Sequence, residues 1–158
     1  MCDLTKHLNN LPTYYEIIVI FRRKKEIDFS TDFFSSTYKI PLSIFSQKTS
    51  PLETIVKYLR ENHDLGFTEI GRLLARDGKT IWKEYQNAHA KHKHKFKICE
   101  NEFYFDINIF ARREHSILEI LCHKLKESGY SISQIAYIIK KHRNTVWSVC
   151  SRFKKKND

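Results

Sequence analysis

The chain has 158 residues, 41% of them apolar, and its 28 Lys/Arg outweigh 18 Asp/Glu to give a net charge of +10 and a pI near 9.5. That length and apolar share suffice for one compact domain or two small ones, and the basic excess points to an anionic partner, nucleic acid before an anionic membrane surface. No apolar run approaches the roughly 20 residues of a membrane-spanning helix, and four cysteines (Cys2, Cys99, Cys122, Cys150) with no signal peptide suit reduced cytoplasmic thiols rather than a disulfide framework.

Residues 1–37 form an N-terminal segment in which Tyr14 to Phe21 and Glu26 to Phe29 flank Arg22-Arg23-Lys24-Lys25, a pattern that predicts a β-hairpin with a basic tip. A first unit over 38–92 opens on the β-prone stretch Tyr38 to Phe45, where Pro41 argues against a central strand. Ser50-Pro51-Leu52-Glu53 is an S-x-x-E capping box with proline at the favoured first helical position, and Leu52, Ile55, Val56 and Leu59 mark one face of the helix it starts. A short second helix, about 67–75, begins after Gly66. Gly71 inside it costs about 1 kcal/mol relative to alanine, which suggests a close approach by another helix. A tight turn is expected at Arg76-Asp77-Gly78.

The third helix, near 79–90, turns Ile81, Tyr85 and Ala88 inward, with Trp82 at the edge and expected to be partly buried. Lys79, Thr80, Lys83, Gln86 and Asn87 face outward. A basic linker over 93–102 follows. His89, His92, His94 and Cys99 lie close together in sequence there, but their spacing fits no structural zinc pattern and the interleaved lysines repel a cation. No metal or cofactor is expected.

The second unit, 103–158, repeats the first and ends in a basic tail. Phe103 to Phe110 matches the β-prone stretch, and Ser116-Ile117-Leu118-Glu119 matches the first capping box, with Leu118, Leu121, Cys122 and Leu125 on the helical face. The offset is 65, except in the first helix, where it is 66, and the change is expected in the loop before the second helix. Phe67-Thr68-Glu69-Ile70-Gly71-Arg72-Leu73-Leu74 recurs as Ile132-Ser133-Gln134-Ile135-Ala136-Tyr137-Ile138-Ile139, and Thr80-Ile81-Trp82 as Thr145-Val146-Trp147. Repeats of this kind decide a fold. Ser131 to Gln134 is a further capping box, and Lys141-His142-Arg143 stands at the turn. In the final helix, near 144–155, Val146, Cys150 and Phe153 point inward, whereas Asn144, Thr145, Ser148, Val149, Arg152 and Lys155 belong outside, with Arg143 at its start.

Charge is concentrated in the final helices. Residues 79–97 carry six Lys/Arg and one acidic residue, and residues 140–158 carry seven and one, whereas 1–78 and 98–139 are close to neutral. Both outward faces offer amide, hydroxyl and cationic groups, the side chains that reach base edges and phosphates. Glu69-Ile70-Gly71-Arg72-Leu73-Leu74, followed by Arg76 and Thr80-Ile81-Trp82, resembles the second helix, turn and recognition helix of the helix-turn-helix superfamily, in its homeodomain-like and sigma-factor-region-4-like forms. The two matches take in roughly half of the chain. Copy two departs from the pattern at Lys140-Lys141-His142-Arg143, where a compact polar turn is expected.

The expected fold is therefore mainly α, with two three-helix helix-turn-helix units, each preceded by a short β-prone extended segment. The resemblance implies binding of double-stranded DNA. The expected contacts are Lys79, Thr80, Lys83, Gln86, Asn87 and Lys91 in the first unit and Arg143, Asn144, Thr145, Ser148, Arg152 and Lys155 in the second, with Lys93, Lys95, Lys154 and Lys156 adding nonspecific affinity. No catalytic constellation or small-molecule pocket stands out, so a non-enzymatic, cytoplasmic, nucleoid-associated transcriptional regulator is expected. An architectural protein that coats DNA and the DNA-targeting module of a mobile-element recombinase or transposase are the alternatives. Two units could read an asymmetric site with half-sites about 34 Å apart, and the extended segments could instead build a homodimer.

Overall fold

The computed structural model describes residues 38–98 and 103–157. The N-terminal hairpin expected within residues 1–37, together with Cys2 and Cys99, lies outside them. Among the described residues the chain is mainly helical, with six α-helices and one two-stranded sheet. No helix among them is long and apolar enough to cross a membrane.

Each half of the chain follows the same course. Strand β1 (Lys39–Pro41) runs into a 3-10 helix (Leu42–Ser46), then helices α1 (Pro51–Asn62), α2 (Phe67–Leu73) and α3 (Gly78–Lys91). Strand β2 (Tyr104–Asp106), a second 3-10 helix (Ile107–Ala111), α4 (Ile117–Glu127), α5 (Ile132–Ile138) and α6 (Arg143–Asn157) repeat it. Both long first helices start at complete capping boxes, Ser50 with Glu53 and Ser116 with Glu119, and α5 starts at a third, Ser131 with Gln134. Each box satisfies backbone donors that a helix start leaves without partners.

The change of offset falls elsewhere than the sequence suggested. The second half has one extra residue between its 3-10 helix and α4, and α1 has 12 residues where α4 has 11. A helix end accommodates the difference, and the loops into α2 and α5 stay in register. Within them Asp64 and Gly129 both take positive φ, and the next residues, Leu65 and Tyr130, are both buried.

The turns between the second and third helices also differ from expectation. The left-handed residues are Ala75 (φ 51) and Lys140 (φ 49), and Gly78 already belongs to α3. Ala75 N–H donates to Arg72 C=O and Arg76 N–H to Gly71 C=O, while Lys140 and Lys141 do the same to Tyr137 and Ala136. That double bond pattern is the Schellman motif, which usually recruits glycine at the left-handed position. Neither half does so. Gly71 is explained by this turn, not by a neighbouring helix, because a Cβ there would stand 2.7 Å from the Arg76 carbonyl oxygen.

The extended segments pair with each other. β1 and β2 are antiparallel, with Lys39 opposite Asp106, Ile40 opposite Phe105 and Pro41 opposite Tyr104. The ladder is continued by Leu42 N–H to Phe103 C=O (2.9 Å) and Ile107 N–H to Tyr38 C=O (3.3 Å), and the Lys39 ammonium meets Asp106 at 3.1 Å. Proline is tolerated because it is the last residue of the strand. Phe45, Phe105 and Phe110 pack behind the sheet with ring centroids 6.0 to 6.5 Å apart, all buried, together with Ile40 and Ile107.

α1 also touches α4, α2 touches the second 3-10 helix, and α5 touches the first. The two three-helix sets therefore share one core and fall within a single unit, Thr31–Asp158. Of the basic segment after α3, Phe96 is buried, its carbonyl accepts from Asn62 Nδ2 (3.2 Å), and its ring lies 5.7 Å from the Lys57 ammonium.

Candidate nucleic-acid interface

α3 and α6 are each held by a narrow apolar stripe. Ile81 and Ala88 are the buried residues of α3, and Val146 and Val149 those of α6, while Cys150 and Phe153 are half-buried. At about 100° per residue, Val149 falls within the stripe; its expected outward position is corrected. Its counterpart Glu84 is half-buried, and burial, then the nearby Glu53 carboxylate, push the Glu84 carboxyl above its usual range. Cys122 is buried and lies against Cys150, and burial pushes its thiol up to about 12, the behaviour of a core residue and not of a nucleophile.

The tryptophans overturn an expectation. Trp82 is 53% exposed and Trp147 is 63% exposed. Each sits about 100° around the helix from Ile81 or Val146, beyond the width of the stripe. These two rings are the most exposed large apolar side chains among the described residues, and they occupy equivalent positions.

Around Trp82, the residues Gly78, Lys79 and Lys83 line a shallow open depression at the start of α3. Lys79, Lys83, Gln86 and Asn87 are exposed. Thr80 is half-buried and committed locally: Asp77 caps α3, accepting from the Thr80 backbone N–H (2.9 Å) and from its hydroxyl. Those bonds hold the Asp77 carboxyl below the usual carboxylate range, so a full negative charge stands at the N-terminus of α3. α6 starts differently. His142 takes the cap position, its Nδ1 accepting from Asn144 N–H at 3.2 Å, and Arg143 is the exposed first residue of the helix. Asn144, Thr145, Ser148 and Lys155 are exposed too, with the Ser148 hydroxyl donating back to the Asn144 carbonyl (2.8 Å).

Three residues expected to contact DNA instead face capping glutamates within the fold. Lys91, the last residue of α3, reaches both oxygens of Glu53 (2.7 and 2.9 Å), the buried carboxylate of the first capping box. Lys156 repeats this on Glu119 (2.8 Å) and adds the Glu114 carbonyl, while Arg152 Nε lies 3.8 Å from Glu119. Burial alone would raise the Glu119 carboxyl, but the Lys156 ammonium, the Ser116 N–H and Arg152 outweigh it and hold the group below its usual range. Each set thus ties the end of its third helix to the start of its first through one lysine and one capping glutamate.

The histidines also have protein partners. His89 Nδ1 faces Glu61 at 3.4 Å, His92 stacks on Phe96, and His94 meets the edge of His92. Glu61 also accepts from Tyr85 (3.2 Å) and from Lys57, a fully buried lysine that sequence patterning did not single out; His123 and Glu127 (3.1 Å) take the same places in the second set. Arg113, after the second 3-10 helix, lines a shallow surface depression with Arg72, Arg76 and Gly78 of the first set. Only the pairing of the two sets brings it there, so no local signal marked it. Comparison of the chain with protein families, curated proteins and solved structures finds no match.

Proposed function

We propose that the chain binds duplex DNA through two tandem helix-turn-helix units and acts as a sequence-specific transcriptional regulator, with α3 and α6 entering the major groove. The observation that carries this reading is the pair of exposed tryptophans, each set among cationic, amide and hydroxyl groups on a third helix whose opposite face is buried. A flat indole offers apolar contact to thymine methyl groups, and the surrounding lysine, arginine, asparagine and glutamine side chains supply the donors and acceptors that distinguish base edges.

On this reading Lys79, Lys83, Gln86 and Asn87 serve α3, and Arg143, Asn144, Thr145 and Ser148 serve α6. Arg143 beside a helix N-terminus suits a phosphate, since backbone N–H groups and the helix dipole attract an anion there. Lys155 adds backbone affinity. Lys91 and Lys156 hold the helices in place, and Arg152 is shared between Glu119 and the groove.

Selection of the full chain on random duplexes, followed by a salt titration on the enriched sequence, tests the proposal. The expected outcome is a defined motif and an affinity that falls by about three orders of magnitude between roughly 50 and 200 mM salt, as release of counterions from six or more phosphates requires. A flat salt dependence overturns DNA binding. Tight, salt-sensitive binding without enrichment overturns sequence reading and favours an architectural role.

A further inference from the structure

The pairing of the extended segments relates the two three-helix sets by a rotation. With an offset of 65, Ile40 is equivalent to Phe105, and these two residues face each other at the centre of the ladder. Lys39 faces Asp106 and Pro41 faces Tyr104, and each of these pairs becomes the other when the copies are exchanged. The hydrogen bonds from Leu42 to Phe103 and from Ile107 to Tyr38 exchange in the same way. Phe45 packs on Phe110, its own equivalent, at 6.1 Å. Away from the sheet, α2 lies against the second 3-10 helix and α5 against the first. A contact between equivalent patches on both partners is the mark of a two-fold axis; a translation would join unlike patches, head to tail.

We infer that the chain is a two-fold dimer built into one polypeptide, and that its DNA site consists of two half-sites in inverted orientation, one for α3 and one for α6. The inference rests on the proposed reading of these helices as groove-binding elements. Their mutual orientation is held by the buried Ile40, Phe45, Phe105 and Phe110. Two helices so related can engage one duplex only when the axis of the protein lies on a dyad of the DNA. The half-sites are inverted yet not identical, because Thr80 and Trp82 recur as Thr145 and Trp147 whereas Lys79, Lys83 and Asn87 become Asn144, Ser148 and Arg152.

Making the two faces alike tests the inference. The full chain carrying Asn144→Lys, Ser148→Lys, Ser151→Gln and Arg152→Asn, three exposed positions and the half-buried Ser151, is put through selection on random duplexes beside the unaltered chain. The enriched sequence is expected to be its own reverse complement, and turning one half-site into direct orientation is expected to weaken binding at least tenfold, about the cost of one or more mismatched base pairs. Enrichment of a direct repeat, or of one half-site alone, overturns the inference while leaving duplex binding intact. Absence of salt-sensitive duplex binding by the unaltered chain instead takes down the functional reading on which it rests. Should the quadruple variant not fold, a hydroxyl-radical footprint of the unaltered chain decides. Protection mirrored between the two strands supports the inference, and protection repeated along one strand overturns it.

Discussion

The two halves of the molecule share a frame and differ at the faces they present. Both have the capping glutamate held by a lysine at the end of the third helix, the left-handed residue without glycine, and the exposed tryptophan. They part at the start of that helix, where Asp77 places a carboxylate in one half and Arg143 places a guanidinium beside the His142 cap in the other. The capping glutamates, the lysines that hold them and the tryptophans recur, whereas Lys79, Lys83 and Asn87 become Asn144, Ser148 and Arg152, and the buried Lys57 becomes His123. If DNA is the partner, the second half meets phosphate with a favourable helix start and the first half must meet it through Lys79 and Lys83.

The largest effect is expected at the seam between the halves. Phe45→Ala and Phe110→Ala should each cost about 3–5 kcal/mol, the range for truncating a buried phenylalanine, measured by denaturant unfolding. Because the rings touch, the double variant should cost clearly less than the sum. Simple additivity would indicate that the halves fold as independent units.

The helix starts give the next effect. Asp77→Asn preserves a good cap, since asparagine caps as well as aspartate, and removes the negative charge. Duplex affinity should rise several-fold, because the carboxylate no longer opposes an anion at the helix terminus, while His142→Asp should lower it. Equal and unchanged affinities for both would remove the proposed difference between the halves.

Acid tests the glutamate ties. The Glu119 carboxyl lies below its unfolded value of 4.5 in the folded chain, so its contribution is fully present above pH 4.5 and is lost as pH falls through the lower folded value. Glu119→Gln should therefore flatten the acid limb of a stability–pH curve below pH 4.5. An unchanged limb would show that the tie with Lys156 is not formed.

The smallest effect concerns the turns. A non-glycine residue in the left-handed region costs roughly 1–2 kcal/mol, partly offset by the roughly 0.5–1 kcal/mol that glycine loses in chain entropy. Ala75→Gly and Lys140→Gly should each stabilise by up to about 1 kcal/mol, and to similar extents if the turns are alike.

Much of the frame could be read from the sequence because it is written locally. Capping boxes at Ser50, Ser116 and Ser131 involve residues three apart, and the stripe through Ile81 and Ala88 follows the helical period. What escaped depends on distance or on absent signals. The left-handed turns carry Ala75 and Lys140, so the usual glycine marker is missing. Arg113 reaches the first set only through the pairing of β1 with β2, and Lys91 meets Glu53 across the whole set. The tryptophans were misjudged because a large apolar ring at the edge of a stripe suggests burial, whereas the stripe is narrower than that pattern implies.

The chain contains only two tryptophans, and both stand on the faces proposed to meet DNA. Fluorescence of the single-tryptophan variants Trp82→Phe and Trp147→Phe, titrated with the selected duplex, therefore reads each face separately. Each remaining tryptophan is expected to change its emission in step with binding, and salt that releases the duplex should reverse the change. Binding that leaves both emissions unaltered would contradict the account, since the duplex would then be held away from α3 and α6.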